Sequence, residues 1–291
     1  MSANIVLGTV QFGMNYGIAN TLGQPSFESV CEILKAAADG GVKTIDTAAG
    51  YGESERVLGR ALAELGLAKH FTLVSKVLFV KDKTPESAEK LIEESVVNSL
   101  KNLRLEQLPV CLFHMEPDLV YLPILEKLKA KGMIGNCGVS VDVAVPADIN
   151  KVKFVQLASN LLDHRHDAFL ESKPDDTTVW ARSVYLQGLL LLPEEKITGG
   201  LKQVIPYRHK FEAIARESGI TMNELCFRGL LSRKGISGIV TGVDSVEHLK
   251  ENLAVAARGP LPADVAEEVR KAAYPLLPEC IIRPHLWSGI M

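Results

Sequence analysis

The sequence has no long apolar run and no strong excess of charge. No apolar stretch reaches about 18 residues, the length that a membrane-spanning helix needs, so no transmembrane helix is predicted. The 291 residues contain 32 lysines and arginines against 35 acidic residues, which gives a formal net charge of −3, and they contain no long basic block. This balance gives no electrostatic reason to expect nucleic acid or an anionic membrane as a partner.

The cysteines form neither a pairing motif nor a metal motif. No two of them are close enough for a CxxC pair, and no Cys/His spacing is typical of a zinc site, so no bound metal is expected. An odd number of cysteines with apolar neighbours is typical of reduced thiols in a cytoplasmic protein. The first residues, MSANIVLG, also lack the charged and apolar segments of a signal peptide. The five cysteines are Cys31, Cys111, Cys137, Cys226 and Cys280.

Short apolar runs alternate with longer amphipathic segments along the whole chain. Most of the apolar runs are rich in Val and Ile without strict alternation, which is typical of strands buried on both faces of a parallel sheet. They lie at 5–10, 42–46, 71–76, 108–114, 133–140, 153–159, 177–185 and 236–243. The amphipathic segments have apolar residues at three- and four-residue spacing and are predicted helices. They lie at 26–40, 53–65, 84–103, 118–131, 207–218, 221–233 and 245–257, and the pattern is least regular at 164–175.

Eight strands that alternate with helices over about 250 residues predict a (β/α)8 TIM barrel. A doubly wound open sheet is the alternative, but it would require a glycine-rich phosphate turn after the first strand, and no GxGxxG opens a helix there. We find no linker, so residues 1–291 are expected to form a single domain. The apolar C-terminal segment 276–291 is expected to fold over the barrel mouth.

Four polar residues occur at the carboxyl ends of predicted strands or just beyond them. Asp46 ends VKTID, Tyr51 follows it, Lys76 ends FTLVSK and His114 ends LPVCLFH. In a barrel of parallel strands these ends form the rim at which catalysis takes place. An ammonium beside a phenol favours the phenolate, so a lysine held by a carboxylate makes a tyrosine a better proton donor. A histidine nearby could orient a carbonyl. Protein side chains deliver no hydride, so reduction there implies a nicotinamide cofactor.

The segment DTAAGYGESE (46–55), followed by a helix, SK and LFH in that order, resembles the aldo-keto reductase family. The resemblance runs from about residue 4 to about residue 257. It implies a (β/α)8 barrel that reduces aldehydes and ketones with a nicotinamide nucleotide. It further implies that Tyr51 is the proton donor, Lys76 activates it, Asp46 holds Lys76 and His114 orients the carbonyl. Taken one at a time, each of these residues could instead have a purely structural role.

The same resemblance implies residues that hold the nicotinamide. Ser140 and Gln156 match positions that bind its carboxamide, although Val141 replaces an expected asparagine, and Gln156 could be only a buried hydrogen-bonding residue. Arg182, followed by Ser183, stands where many members have a tyrosine that stacks on the ring. A guanidinium can also stack on an aromatic face, or Arg182 could pair with an acidic residue at the barrel mouth.

Residues at the end of the eighth predicted strand and after it match positions at which the family holds the adenosine part of the nucleotide. They are Gly242, Val243, Asp244, His248, Glu251 and Asn252. His248 stands where NADPH-specific members often have arginine, and Asp244 would repel a 2′-phosphate. NADP(H) is favoured as the family default, and NAD(H) is the alternative.

The loop after the first strand is predicted to reach the substrate. It contains Gln11, Phe12, Met14 and Tyr16, whose polar and aromatic side chains suit a carbonyl compound such as an aldehyde, a ketone or a sugar. The loop could equally pack over the end of the barrel. The oligomeric state and the identity of the substrate do not follow from the sequence.

Two other functions are compatible with the sequence. The first is a nucleotide-binding, redox-sensing subunit of a larger assembly that turns over little substrate. The second is a lyase or isomerase in which Lys76 forms a Schiff base, but the proximity of Asp46 would keep that lysine protonated and disfavours this alternative.

Overall fold

Eight parallel strands close into a barrel in the order β1 to β8, with β8 paired to β1. The computed structural model describes residues 5–18, 23–80 and 83–290. The predicted (β/α)8 barrel is therefore confirmed, and the doubly wound sheet is excluded. The strands are β1 Ile5–Gly8, β2 Thr44–Asp46, β3 Thr72–Lys76, β4 Leu108–Phe113, β5 Ile134–Val141, β6 Phe154–Ala158, β7 Thr178–Arg182 and β8 Gly238–Gly242.

The helices cover the outside of the barrel and are held at their ends by local hydrogen bonds. Ser26 and Thr84 cap α2 and α4, because each side-chain oxygen accepts a hydrogen bond from the backbone N–H three residues on. Gly66 ends α3 in the left-handed conformation (φ 67°). The helices are α1 Val10–Gly13, α2 Phe27–Asp39, α3 Ser54–Leu65, α4 Pro85–Leu103, α5 Leu122–Ala130, α6 Asp167–Ser172, α7 Ile205–Glu217, α8 Met222–Leu231, α9 Val246–Ala257, α10 Ala263–Ala272 and α11 Glu279–Ile282.

A layer of apolar side chains fills the inside of the barrel below the carboxyl ends of the strands. Successive residues of a strand point to opposite faces, so the next inward position lies two residues further along each strand. Lys76 stands two residues after Val74, Gln156 two after Phe154, and Arg182 two after Trp180. The polar rim is therefore the next inward layer above the apolar one. The apolar layer consists of Val6, Val74, Val110, Leu112 and Trp180, with Phe154 and Val240 packed against them.

Several predicted element boundaries differ from those in the structure. The predicted strand 177–185 ends at Arg182, because Ser183 adopts a left-handed conformation (φ 65°). The predicted strand 5–10 ends at Gly8, and α1 begins at Val10. The predicted helix 118–131 is a 3₁₀ segment, Glu116–Tyr121, followed by α5. The irregular pattern at 164–175 corresponds to the six-residue helix α6, and α10 and α11 were not predicted.

The C-terminal segment contacts the rim at the carboxyl end of β5. Arg283 Nε lies 3.3 Å from an oxygen of Asp142, the residue that follows β5. Trp287 is buried, and Gly200 N–H donates a hydrogen bond to Ile290 O at 2.6 Å. These contacts support the expectation that 276–291 covers part of the barrel mouth, which stays a prediction. Among the residues described, no helix combines the length and apolar character that crossing a bilayer requires.

Candidate active site

Asp46, Tyr51, Lys76 and His114 meet at the carboxyl ends of three neighbouring strands. Asp46 ends β2, Lys76 ends β3 and His114 follows β4. Lys76 Nζ lies 2.7 and 2.8 Å from the two carboxylate oxygens of Asp46. The same nitrogen also donates to Thr47 O at 2.9 Å and lies 3.5 Å from Tyr51 Oη. The side chain of Lys76 is 1% exposed and that of Asp46 is 3% exposed, so this ion pair is isolated from bulk water.

The turn that carries Tyr51 is fixed by close backbone packing. Tyr51 lies between β2 and α3, and a Cβ at Gly13 would come within 2.0 Å of Tyr51 O and 2.3 Å of Ser54 N. Only glycine allows α1 to approach this turn so closely. The rings of Tyr51 and His114 make a T-shaped contact, with their centroids 5.6 Å apart. The position of the phenol is thus set by two elements, α1 and β4.

The pKa values of Lys76 and His114 shift in opposite directions, although both side chains are buried. Burial by itself lowers the pKa of Lys76, but the Asp46 carboxylate and Tyr51 outweigh it, and the pKa is raised above its ordinary value. Burial is also the main cause that lowers the pKa of His114, and the charges of Lys76 and Arg182 add to it, so that it falls to about 3. At neutral pH the site therefore contains a charged lysine and a neutral histidine, which has one N–H to donate.

The low pKa of His114 predicts a specific loss of stability in mild acid. An ordinary histidine has a pKa of 6.5, so between pH 6.5 and about 3 the unfolded chain binds a proton at this residue that the folded chain does not. Stability must then fall as the pH falls through this range, by up to about 1.4 kcal/mol per pH unit. We expect wild type to lose about 1–2 kcal/mol more than His114→Gln between pH 7 and pH 5, as measured by urea unfolding. The exposed His209→Gln is the control, and parallel losses in wild type and His114→Gln would contradict this prediction.

Gln156 offers an unsatisfied acceptor beside the ion pair. Its Nε2 donates to Asp46 Oδ1 at 2.9 Å, a hydrogen bond that spans the barrel interior from β6 to β2. Its Oε1 is buried and has no hydrogen-bond partner within the part of the chain that is described. Ser140 pairs with Gln156 in the register of β5 and β6. A buried amide oxygen without a donor is costly, and a carboxamide N–H of a bound nucleotide would satisfy it. These two residues therefore fit a nicotinamide.

Arg182 lies next to Ser140 and is paired with an acidic residue. Its Nε donates to Ser140 Oγ at 3.4 Å, and its Nη2 lies 3.2 Å from Val141 O and 3.1 Å from Asp142 Oδ1. Nη1 makes a 3.5 Å contact with Ser183 Oγ. The alternative that the sequence left open, an ion pair at the barrel mouth, is thus observed, and the Arg182 side chain remains 26% exposed.

The segment after β8 forms contacts mainly within the protein. The amide of Gln11 lies directly over Gly242, where a Cβ would come within 2.3 Å of Gln11 Oε1. Asp244 Oδ1 lies 2.5 Å from His248 Nδ1. Val243 is 2% exposed and belongs to the core, so its side chain offers no surface to a nucleotide in this structure.

Asn252 is buried, whereas Glu251 is exposed. The Asn252 amide is held by two neighbours, since Tyr185 Oη donates to its Oδ1 at 3.2 Å and its Nδ2 donates to Thr241 Oγ1 at 3.4 Å. Both polar atoms of its amide therefore already have a hydrogen-bond partner in the protein. Of this pair, Glu251 is the one whose side chain can reach a ligand without rearrangement.

Of the four residues predicted to touch substrate, Gln11 packs against Gly242, and the other three differ in exposure. Phe12 is fully buried in the core, so this placement corrects the expectation that it contacts substrate. Met14 and Tyr16 are each 38% exposed, and Gln187 Nε2 donates to Tyr16 Oη at 3.1 Å. Burial raises the pKa of Tyr16, and Tyr51 is the next cause, which indicates that both phenols share the mouth. Phe79, which is 50% exposed, stacks on His114 with the centroids 4.6 Å apart.

The sequence matches the model of the aldo/keto reductase family over residues 4–273. The chain belongs to this family. Its members are NAD(P)-dependent oxidoreductases, which accounts for a polar layer of this composition at the carboxyl ends of the barrel strands. The match covers nearly all of the chain, including every strand.

Three named proteins are similar to this chain in sequence or in fold. "Aldo-keto reductase YhdN" of Bacillus subtilis (strain 168) is 31% identical over 118 residues, which cover 38% of this chain and 36% of the relative. "Probable voltage-gated potassium channel subunit beta" of Oryza sativa subsp. japonica is 23% identical over 283 residues, 82% of this chain and 86% of the relative. The solved aldo-keto reductase AKR11C1 from Bacillus halodurans (holo form) superposes with a TM-score of 0.74 at 20% identity, covering 96% and 95% of the two chains.

Sequence reasoning missed the residues that connect the rim of this aldo/keto reductase to its C-terminal segment. Asp142 contacts Arg182 from one side and Arg283 and His285 from the other. A polar residue directly after β5 satisfied the same rule that identified the other rim residues and could have been found by it. Arg283 lies 141 positions away in sequence, and no local pattern connects it to Asp142.

Proposed function

We propose that this protein reduces the carbonyl group of an aldehyde, a ketone or a sugar-type substrate with NAD(P)H, and also catalyses the reverse oxidation. The observation that carries the proposal is the position of Lys76 Nζ, which contacts both oxygens of Asp46 and approaches Tyr51 Oη at 3.5 Å. A buried, charged lysine in that position stabilises the phenolate that remains when Tyr51 gives up its proton.

Each of the four residues then has a distinct part. Tyr51 Oη transfers its proton to the carbonyl oxygen, and the Lys76 ammonium balances the negative charge left on the phenol. The neutral His114 ring donates its N–H to the same carbonyl oxygen and orients it. Asp46 keeps Lys76 charged and in place. When bound, the reduced nicotinamide supplies the hydride that the carbonyl carbon accepts.

Ser140 and Gln156 are the residues that would hold the nicotinamide. The buried Gln156 Oε1 is the acceptor for a carboxamide N–H, and Ser140 Oγ–H is a donor for the carboxamide oxygen. The family default favours NADP(H). The carboxylate of Asp244, which is paired with His248, would repel a 2′-phosphate and therefore suits NAD(H) better. All five cysteines are free thiols, which accords with a cytoplasmic location as part of this proposal.

Titration with NADPH and with NADH, followed by quenching of intrinsic fluorescence, tests the proposal. We expect at least one of the two to bind and to be oxidised in the presence of an aldehyde from a panel of aliphatic, aromatic and hydroxylated compounds. Asp244→Asn should improve the affinity for NADPH relative to NADH, because it removes a negative charge from the place assigned to the 2′-phosphate. If neither nucleotide binds, the proposed function is wrong.

A nucleotide-binding subunit with little turnover is the second candidate. It is favoured by one observation, the similarity over most of the chain to a relative named as a potassium channel subunit beta. Tight nucleotide binding without oxidation by any aldehyde or ketone of the panel would support it over reduction. The Schiff-base alternative is disfavoured, because a lysine held charged by Asp46 is a poor nucleophile.

A further inference from the structure

Arg182 places a positive charge at the rim of the site where the proposed nicotinamide anchors lie. Its guanidinium contacts Ser140 Oγ, and Ser140 is the strand partner of Gln156. A ring held by these two anchors would lie beside the guanidinium. Arg182 also contributes, after burial and Lys76, to the low pKa of His114, which indicates that its charge reaches the centre of the site.

This charge is only partly neutralised. Asp142 is the one carboxylate with which Arg182 forms an ion pair within the described ranges, and the same carboxylate is shared with Arg283 at 3.3 Å and His285 at 3.5 Å. Burial would raise the pKa of Asp142, but Arg182, His285 and Arg283 together lower it, so Asp142 is ionised. The carboxylate of Asp142 is thus shared by two arginines. One of them, Arg283, also pairs with the exposed Glu279.

The two redox forms of a nicotinamide differ in charge at the ring. The oxidised ring is a cation and the reduced ring is neutral, so a neighbouring guanidinium repels only the oxidised form. At an effective dielectric constant of about 20, two unit charges a few ångströms apart change an equilibrium by about two to three powers of ten. The carboxylate of Asp142 opposes this effect and reduces it.

We propose that Arg182 makes this site prefer the reduced nucleotide over the oxidised one, and that Asp142 limits the preference. The inference rests on the proposed function and deepens it, because it assigns to two residues of the site the discrimination between the two redox forms of the nucleotide. We expect the reduced form to bind about tenfold to a hundredfold more tightly than the oxidised form. Each tenfold preference corresponds to a midpoint potential of the bound couple that is about 30 mV higher than that of the free couple.

The test compares dissociation constants of both redox forms in three variants. The probes are NADPH with NADP⁺, or NADH with NAD⁺ if that pair binds more tightly, and the readout is quenching of intrinsic fluorescence without substrate. Arg182→Met should lower the preference for the reduced form about tenfold, and Asp142→Asn should raise it severalfold, because it removes the opposing charge. Arg182→Lys, which keeps the charge, should keep most of the preference even if both affinities fall. Arg270→Met and Asp176→Asn are the controls, because both residues form exposed ion pairs with partners outside this rim and Asp176 precedes the amino end of β7, opposite the rim.

The opposite signs expected for Arg182→Met and Asp142→Asn separate charge from structural support. If the guanidinium only held the loop in place, its removal would weaken the binding of both redox forms by the same factor. The ratio of their two dissociation constants would then stay the same. That result, with nucleotide still bound, would overturn the inference and leave the proposed function standing. Failure of every nucleotide to bind wild type would overturn both. Because Asp142→Asn retains the size and shape of the side chain, it tests the inference even if Arg182→Met folds poorly.

Discussion

Replacing Tyr51 by phenylalanine is expected to lower the rate of carbonyl reduction by about two to four powers of ten while nucleotide binding is retained. The substitution removes the only atom to which the proposed mechanism assigns proton donation. It keeps the ring, which makes a T-shaped contact with His114. The ring centroid lies 5.6 Å from that of His114 and 5.0 Å from Lys76 Nζ. The lost hydroxyl makes a 3.5 Å contact with Lys76, so we expect little change in the free energy of unfolding.

The measurement is kcat/KM for an accepted aldehyde at saturating nucleotide, with nucleotide affinity and thermal unfolding recorded for the same preparation. Tyr207→Phe is the matched control, since Tyr207 Oη donates to Pro275 O at 2.6 Å on the exposed surface, outside the site. It should leave turnover unchanged. Undiminished turnover by Tyr51→Phe would remove Tyr51 as the proton donor, whereas loss of nucleotide binding in this variant would show that the Tyr51 hydroxyl also supports the cofactor site.

The barrel and the position of its polar rim could be predicted from the sequence because both depend on residue patterns that repeat over a few positions. Apolar strands alternating with amphipathic helices indicate the architecture. The two-residue period of a strand places Lys76, Gln156 and Arg182 on one inward layer above Val74, Phe154 and Trp180. A single polar residue at the end of one apolar strand says little. The same feature at several strand ends predicts a common site, since all parallel strands finish at one rim.

The parts that could not be predicted depend on contacts between distant positions. The hydrogen bond between Gln156 and Asp46 joins residues 110 positions apart, so the sequence could not show that Gln156, the proposed nicotinamide ligand, also contacts the ion pair. The left-handed conformation of Ser183 ends β7 where the apolar pattern continues to Tyr185. Phe12 shows the converse error, because it was predicted to lie in a loop that reaches the substrate but lies in α1 and is buried in the core.

Two buried bases in one site reach opposite protonation states because only one of them has a carboxylate. Desolvation disfavours the charged form of both Lys76 and His114. Asp46 Oδ1 lies 2.7 Å from Lys76 Nζ and reverses the effect there, whereas His114 Nδ1 is buried without a hydrogen-bond partner among the residues that the structure describes. Lys76 in turn helps to keep His114 neutral. The ion pair therefore sets the state of two catalytic candidates, Lys76 and His114, at the same time.

Replacing Lys76 by methionine should consequently cost both stability and activity. It leaves the Asp46 carboxylate, itself almost without exposed surface, with Gln156 Nε2 as a donor but with no counter-ion within hydrogen-bonding distance in the described structure. Breaking a buried ion pair from one side costs about 3–5 kcal/mol, because an uncompensated charge stays buried. Turnover should fall by about two to four powers of ten, since nothing stabilises the phenolate of Tyr51.

The double variant Asp46→Asn with Lys76→Met separates these two losses. It removes the uncompensated buried charge, so the free energy of unfolding, measured in urea, should recover a large part of what Lys76→Met lost. Turnover should remain as low as in Lys76→Met alone. Lys131→Met is the control, because Lys131 pairs with Glu93 at 3.4 Å on the surface, where such a pair contributes about 0–1 kcal/mol. If the double variant regained turnover together with stability, Lys76 would act by supporting the fold, and the assignment of the phenol as a lysine-assisted acid would be wrong.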